Sequence, residues 1–459
     1  MEGVTQDPFR EDRLDAHPHA SLTSRLKRKL EKIDGEWRFH ERPDLSALVN
    51  WSSGKNAPFH RWFRYREAYS PELVQALNLG DRILDPFCGC GSALVGAAQR
   101  NKNSFGIDLN PLATFVAQVK LHALSLSELS DVEHFASSLS TLDLDADVFS
   151  LIPDTQIANK VFEPSILTCI LNLKRHIQSY PSSTASRNFL LLAWVGILEK
   201  VGSYFKEGNG IKYRNALRRP GKYIRRQEGW QLQRFGSDQK SYVISSFLEH
   251  VRNMLLDAEA WATMKGRGEV CNGNALELSN LAPGRFDSIV FSPPYANRFD
   301  YFESMKVELW FGGFVESQAD LQRLRKSSLR SHLGADLKRE SVVLPELEAL
   351  ISDMDRQSSS WRMGVPDLLR GYFSDMVEVL RQCREKLTDD GTCHVVVGNS
   401  AFAGVIIPSD SLTARAAELA GFGETEIWVT RHLTVAPQQR TALAGFEHFM
   451  RESIVVLLP

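Results

Sequence analysis

The run Phe291-Ser292-Pro293-Pro294-Tyr295 puts a hydroxyl, two consecutive prolines and an aromatic ring within five residues. Two prolines lock the backbone into an extended turn and leave its carbonyls without ladder partners. A rigid set of acceptors beside an aromatic face suits chemistry on the exocyclic amine of a nucleobase, which is conjugated with its ring and barely nucleophilic. Hydrogen bonds from its N–H groups to the Ser292 hydroxyl and the Pro293 carbonyl would push the nitrogen towards sp³ and aim its lone pair, while Tyr295 stacks on the extruded base. Transfer to the amine is then direct and in line, with positioning as the main contribution to catalysis. The same residues also make an ordinary packed turn at a strand end, so their neighbours decide the reading.

The neighbour that matters is Asp85-Pro86-Phe87-Cys88-Gly89-Cys90-Gly91-Ser92, which follows an apolar run and opens a helical one. Glycines there allow a ligand close to the backbone, and the helix start supplies free N–H groups. The loop fails the dinucleotide fingerprint, because Leu94 stands where a third glycine is needed, and no Gly-Lys-Ser/Thr makes it a phosphate loop. Asp108 lies seventeen residues after Gly91, at the tip of the next strand, where a carboxylate accepts hydrogen bonds from ribose hydroxyls. Cys88 and Cys90 read as small turn fillers, with no metal site expected.

Short apolar runs predict the elements that would position these groups. The expected strands are Arg82 to Asp85, Ser104 to Asp108, Glu269 to Asn272, Phe286 to Phe291, Thr392 to Val397, Glu424 to Val429 and Ser453 to Leu458. Helical patterns alternate with them at Pro71 to Leu79, Ala93 to Arg100, Pro111 to Leu124, Gly371 to Leu387 and Leu412 to Leu419. Alternation of this kind implies a doubly wound α/β sheet. The second and third strands are about 160 residues apart, too far for a simple crossover, so an inserted domain is expected between them.

The composition sets the outer bounds. The chain has 459 residues, 54 Lys and Arg against 56 Asp and Glu, and a net charge of −2, so any polyanion site must be a local patch. Lys206 to Lys240 is such a patch, with ten Lys and Arg against three acids and four interleaved aromatic residues. Lys212, Arg214, Arg218, Arg219, Lys222, Arg225 and Arg226 are its candidate phosphate contacts. A smaller cluster of Arg323, Arg325, Lys326 and Arg330 is placed to take the other side of a duplex. The charged helix of Leu22 to Ile33 reads more readily as a solvated surface than as a DNA-contacting arm. Six cysteines with no CxxC pair do not make a disulfide scaffold. The longest apolar run, Phe189 to Leu198, is half a bilayer span, and residues 1–20 show no apolar signal segment. A cytoplasmic location without membrane association is expected.

Together, the glycine loop, Gly106-Ile-Asp108-Leu109-Asn-Pro and Ser-Pro-Pro-Tyr resemble the amino-methylating DNA methyltransferases of the Ser-Pro-Pro-Tyr type. That resemblance covers about Pro58 to Leu124 and Gly266 to Pro459. It implies a Rossmann-like class I fold with a mostly parallel seven-stranded sheet, S-adenosyl-L-methionine as cofactor and duplex DNA as partner, with a cognate restriction endonuclease left open. It further implies that Asp85, Pro86, Phe87, Gly89, Gly91, Asp108, Leu109, Asn274 and Ala275 hold the cofactor. Ser292, Pro293, Pro294 and Tyr295 would run the transfer. Phe59 to Tyr65 with Ser70 to Leu73 is similar to the motif bordering the methionine end of the cofactor, and Asn272 to Leu276 to the motif at its adenine. Val397-Gly-Asn399-Ser400 would line the target pocket.

The implied organisation is an arm over 1–50, a catalytic domain split into 51–124 and 266–459, target recognition in 125–265, and a smaller DNA-facing insert over 302–370. N4 of cytosine is the target this motif usually serves. Adenine N6 is the alternative, with RNA methylation or a non-catalytic nucleic-acid-binding protein of the same fold behind it. Cytosine C5 chemistry is disfavoured, because it needs a nucleophilic cysteine after proline and no cysteine here follows one.

Overall fold

The computed structural model describes residues 18–50, 56–155, 157–208, 210–214, 216–219, 222–226, 234–236, 238–258, 261, 266–435 and 439–459. Its strands in chain order are β1 (Arg38–Glu41), β2 (Arg82–Asp85), β3 (Asn103–Asp108), β4 (Tyr204–Lys206), β5 (Ile211–Tyr213), β6 (Ala216–Arg219), β7 (Lys222–Arg226), β8 (Gly268–Asn272), β9 (Phe286–Phe291), β10 (Leu387–Gly398), β11 (Ser400–Phe402), β12 (Val405–Ile407), β13 (Glu424–His432) and β14 (Arg451–Leu458). The central sheet runs β1-β13-β14-β10-β9-β2-β3-β8. It holds eight strands rather than the expected seven.

Of these, β10, β9, β2, β3 and β8 are mutually parallel, whereas β14 runs antiparallel to both its neighbours. The strand order reverses between β2 and β9, which leaves a crevice outside their carboxyl ends. Both the glycine loop and Ser-Pro-Pro-Tyr leave the sheet there. The layout is the Rossmann-like α/β arrangement.

Alternate side chains sort to opposite faces, as the pleat requires. Ile289 and Phe291 of β9 and Val395 and Val397 of β10 enter one buried cluster. Val290 and Val396 enter the other face, beside Ile83, Ala93 and Ala97. The helix Val365–Lys386 packs an apolar stripe of Leu368, Leu369, Phe373, Met376 and Leu380 into the first of these clusters.

The extra strand β1 lies at the edge and pairs parallel with β13. It escapes a hydrophobic reading because Arg38-Phe-His-Glu is mostly exposed. Before it, the helix Pro18–Asp34 buries Leu26, Leu30 and Ile33. Lys29 Nζ pairs with Asp353 at 2.6 Å. Asp34 accepts from Arg451 Nη1 at 2.8 Å, so this helix is docked along one stripe while Lys27 and Arg28 stay exposed.

Among the described residues, those of the expected insert over 125–265 pack into a core shared with the catalytic part. Its helices Leu126–Ser138, Pro164–Ser179, Thr184–Val201 and Gln239–Ala258 share one buried cluster with Phe59, Trp62, Val95, Leu112 and Phe311. Asp257 pins this layer down. It accepts from Trp62 Nε1 at 2.9 Å, Phe59 N at 3.1 Å and Arg61 Nε at 2.9 Å. Two antiparallel hairpins, β4–β5 and β6–β7, lie between the third and fourth of these helices in sequence.

A buried ion network closes the far side of the sheet. Arg451 on β14 donates to Asp410 at 2.6 Å and to Asp34, and Ser453 Oγ donates to Asp410 at 2.9 Å. Asp410 is 0% exposed. Removing one partner of such a group strands a buried charge, so Asp410→Asn should lower unfolding free energy by roughly 3 kcal/mol. Urea titration measures it; a change within error would show that Asp34 alone satisfies Arg451.

Candidate active site

The crevice at the strand reversal is a cavity with about 890 Å³ of atom-free space, its mouth included. Eight of the nine expected cofactor residues line it: Asp85, Pro86, Phe87, Gly89, Asp108, Leu109, Asn274 and Ala275. Gly91 does not. It sits below, at φ 84°, as the N-cap of the helix Ser92–Gln99, where a Cβ would meet Ala117 Cβ at 3.1 Å. Gly89 is also left-handed, at φ 49°, and a Cβ there would come within 3.0 Å of the Tyr65 ring. The loop is therefore glycine for backbone shape and for close packing at once.

Two carboxylates anchor the floor. Asp85 is 1% exposed; it accepts from Tyr69 Oη at 2.8 Å and Phe87 N at 3.0 Å. Asp108 is half-buried and accepts from Gly89 N at 2.9 Å and Asn110 N at 2.8 Å. Each oxygen of Asp108 thus holds one backbone N–H and keeps a lone pair for a ligand hydroxyl. Burial pushes Asp85 up to about 7, against the bonds from Tyr69 and Phe87, with nearby Asp108 adding to the rise. Burial likewise raises Asp108 to about 6, against its two backbone bonds.

Sequence reading missed several lining groups. Glu67 and Tyr69 come from the segment before β2, Tyr301 from after the proline turn, and Ser328, Ser331 and His332 from the 302–370 insert, while Tyr65 belongs to the segment expected beside the cofactor. Glu67 is pushed up by burial, partly offset by Lys206. His332 Nδ1 accepts from Gly334 N at 3.0 Å, and Nε2 lies 3.0 Å from Ser328 Oγ. That pairing assigns a neutral ring, and burial lowers its basicity further. Among the described residues the lining carries three carboxyl groups and no Lys or Arg. Asn274 spends its amide on structure, donating to Ser327 O at 2.7 Å and accepting from Leu276 N at 3.1 Å. Burial raises Cys90 to about 12, which keeps it a thiol.

The proline turn divides by alternation. Ser292 and Pro294 line the cavity, whereas Pro293 and Tyr295 do not. Tyr295 packs on Gly398, where a Cβ would meet its Cε2 at 2.9 Å, and its Oη donates to Glu452 Oε1 at 2.9 Å. Arg431 Nε holds the other Glu452 oxygen at 2.5 Å. Burial and the Glu452 charge push the Tyr295 phenol well above its usual range, with a Ser292 hydrogen bond opposing them. Glu452 and Arg431, on β14 and β13, carry no motif and show no signal in sequence. Asn399 is structural here, donating to Phe449 O at 2.9 Å and accepting from Asp410 N at 3.1 Å.

The basic residues divide too. Arg214 turns inward, its Nε donating to Tyr204 O at 2.7 Å. Lys206 pairs with buried Glu308 at 2.9 Å. Lys212 is exposed and pairs with Glu207 at 2.5 Å. Arg218, Arg219, Lys222, Arg225 and Arg226 lie on β6 and β7, whose backbone is described and whose side chains fall outside the description. In the second cluster, Arg325 pairs with Asp300 at 2.7 Å, Arg330 with buried Asp375 at 2.8 Å, and Arg323 with Asp320. Three of its four cations have carboxylate partners, Arg330 buried with its own and Arg323 exposed.

The raised carboxylates make a pH prediction for the ligand-free protein. Unfolded carboxylates lose their protons near 3.8, while Asp85 keeps its own until about 7. The unfolded state binds fewer protons in between, so this group makes stability fall from about pH 4 to about pH 7. Asp85→Asn should flatten the fall in Tm over that range; parallel wild-type and variant profiles in scanning calorimetry would exclude Asp85 as its source.

No family profile matches the chain. The fold superposes only loosely on the rRNA methyltransferase aviRa of Streptomyces viridochromogenes, with TM-score 0.28 and 10% identity over 85% of each chain. That likeness carries no argument. Among the described residues no helix is long and apolar enough to cross a membrane, and no group of three His, Cys, Asp or Glu is placed to hold a metal. The chain is 24% identical over 448 residues to the Type II methyltransferase M.BsoBI of Geobacillus stearothermophilus, covering 89% of this chain and 87% of that one. It is 23% identical to the Type II methyltransferase M.AvaI of Nostoc sp. strain PCC 7120, covering 88% of each. The relatives that match this chain along nearly its whole length are thus Type II methyltransferases.

Proposed function

We propose that the protein is an S-adenosylmethionine-dependent DNA methyltransferase that modifies N4 of cytosine. The observation that carries this reading is that the glycine loop, Asp108 and Ser292 meet in one cavity lined by three carboxyl groups. S-adenosylmethionine bears a sulfonium and an ammonium group, and supplies an electrophilic methyl when bound. A wall with three carboxyl groups and, among the described residues, no Lys or Arg fits that charge.

Asp108 would hold the ribose hydroxyls with its remaining lone pairs. Asp85 and Glu67 would face the positive groups. Phe87, 5.5 Å from Phe291 between ring centroids, contributes apolar wall and excludes water. On the target side, the Ser292 hydroxyl and the Pro293 carbonyl accept from the amine and orient its lone pair, and the Tyr295 ring stacks on the base. The amine gives up a proton after transfer, and no covalent enzyme intermediate is needed. Duplex DNA enters along the face bearing the β6–β7 hairpin, whose basic strands meet the backbone phosphates. Cytosine is favoured over adenine because serine is shorter than the Asp or Asn of the related motifs. The relatives' similarity supports methyl transfer to DNA.

The product is the direct test. Incubation with mixed-sequence DNA and labelled cofactor, followed by nucleoside mass spectrometry, should yield N4-methylcytosine. N6-methyladenine alone would replace the target base, and label in RNA only would replace the substrate. Tyr295→Ala should reduce turnover more than DNA affinity, because stacking worth roughly 1–3 kcal/mol is realised once the base is extruded.

Replacing Arg218, Arg219, Arg225 and Arg226 with Gln should lower the salt slope of DNA binding by up to about 0.9 per lost contact. Cofactor affinity should hold. An unchanged slope would move the phosphate contacts off the hairpin.

A further inference from the structure

We propose that Arg298 grips a target-strand phosphate at the rim of the site, beside the nucleotide whose base is extruded. This rests on the reading of DNA as substrate. Two costs meet at this one residue. Its backbone stands at φ 68°, in the left-handed region that side chains with a Cβ adopt against a steric penalty. Its Nε is buried without a hydrogen-bond partner. Strain and an unsatisfied donor together are the marks of a residue held for something other than stability.

The position fits that use. Arg298 follows Tyr295 by three residues, and its backbone N–H donates to Ser331 O at 3.1 Å. It therefore ties the proline turn to the insert loop that lines the cavity. The guanidinium lies 5.7 Å from the Phe402 ring centroid, and Nη1 lies 3.8 Å from the Met363 sulfur, a weak acceptor. Neither contact supplies negative charge. The nearby Arg325 and Arg330, by contrast, each hold a carboxylate. A cation stacked on an aromatic ring, and without a carboxylate partner among the described residues, is set for an oxyanion with two oxygens to offer. The cavity behind it is lined by three carboxyl groups and suits a cationic cofactor. The proposed reaction brings two anions here, the cofactor's own carboxylate and the nucleic-acid backbone, and Arg298 lies outside the cavity lining, which favours the backbone.

The test uses full-length protein and a synthetic duplex carrying the mapped methylation site. Arg298→Gln should weaken DNA binding roughly tenfold, as for a lost charged hydrogen bond, and lower the salt slope by about one contact's share. Arg298→Lys should recover part of that loss, and cofactor affinity should not move. A neutral methylphosphonate at a linkage flanking the target should weaken the wild type and leave R298Q no worse. Arg298→Gly separates structure from function: it relieves the φ penalty, so Tm should hold or rise while DNA affinity falls. Unchanged affinity and slope in R298Q, additive losses from the variant and the methylphosphonate, or a lower Tm in R298G would each overturn the inference. A wild type that methylates no DNA would overturn the functional reading itself, and this inference with it.

Discussion

Everything around the site follows from keeping two carboxylates at the ends of adjacent parallel strands. Asp85 ends β2 and Asp108 ends β3, and the two strands are hydrogen-bonded neighbours. Burial and mutual repulsion both oppose ionisation there. The chain answers with donors. Phe87 N serves Asp85, while Gly89 N and Asn110 N serve Asp108. For Gly89 to reach Asp108, the loop after β2 must fold back across β3, and Cys88 N donates to Ile107 O at 2.9 Å to hold it there. That reversal is what places Gly89 in left-handed space. Tyr69 supplies the remaining donor, which is why the segment before β2 must return to the sheet edge. Loop shape, glycine positions and the path of the preceding segment are one solution to one electrostatic problem. A cation bound above the pair would relieve it further.

A second consequence concerns the helical layer. The described helices of residues 125–265 share a buried cluster with residues of the catalytic part. The first strand of the β4–β5 hairpin is fixed to this layer by Tyr204 Oη and Lys206 Nζ, both on Glu308, at 3.0 Å and 2.9 Å. Glu308 belongs to the helix Lys306–Gly312, a few residues beyond the proline turn. A buried ion pair of this kind adds little stability on its own, but it fixes where the hairpin starts.

What the sequence disclosed, and what it withheld, divides along the same physical lines. Buried parallel strands read as apolar runs, so the strands were legible, whereas their order in the sheet was not. The glycine loop was legible because φ above zero leaves few residue choices. The strand β1 was not, since an edge strand half in solvent has no apolar period to show. The basic segment misled at Arg214 and Lys206, because charge count says nothing about direction, and these two side chains point inward. The carboxylate partners of Arg325 and Arg330 were equally hidden, Asp300 and Asp375 lying 25 and 45 residues away in sequence. Glu452 and Arg431 were invisible for the same reason. They meet Tyr295 through the pairing of β13 with β14.

That last contact bears on how the proline turn works. Extended backbone alternates sides, and two prolines hold it extended. Ser292 and Pro294 consequently face the cavity while Tyr295 faces away, against Gly398. In the proposed reaction the turn is a partition, with cofactor on one side and base on the other, and the amine meets the methyl group at the Ser292 edge. A longer side chain at 292 would extend that edge into the cavity, so its length sets how deeply a base must enter. The tyrosine would otherwise lose freedom on stacking. Glu452 removes that loss in advance: its bond fixes the ring, and Arg431 fixes Glu452. The ordering entropy is spent when the sheet folds, and the base meets a surface already set.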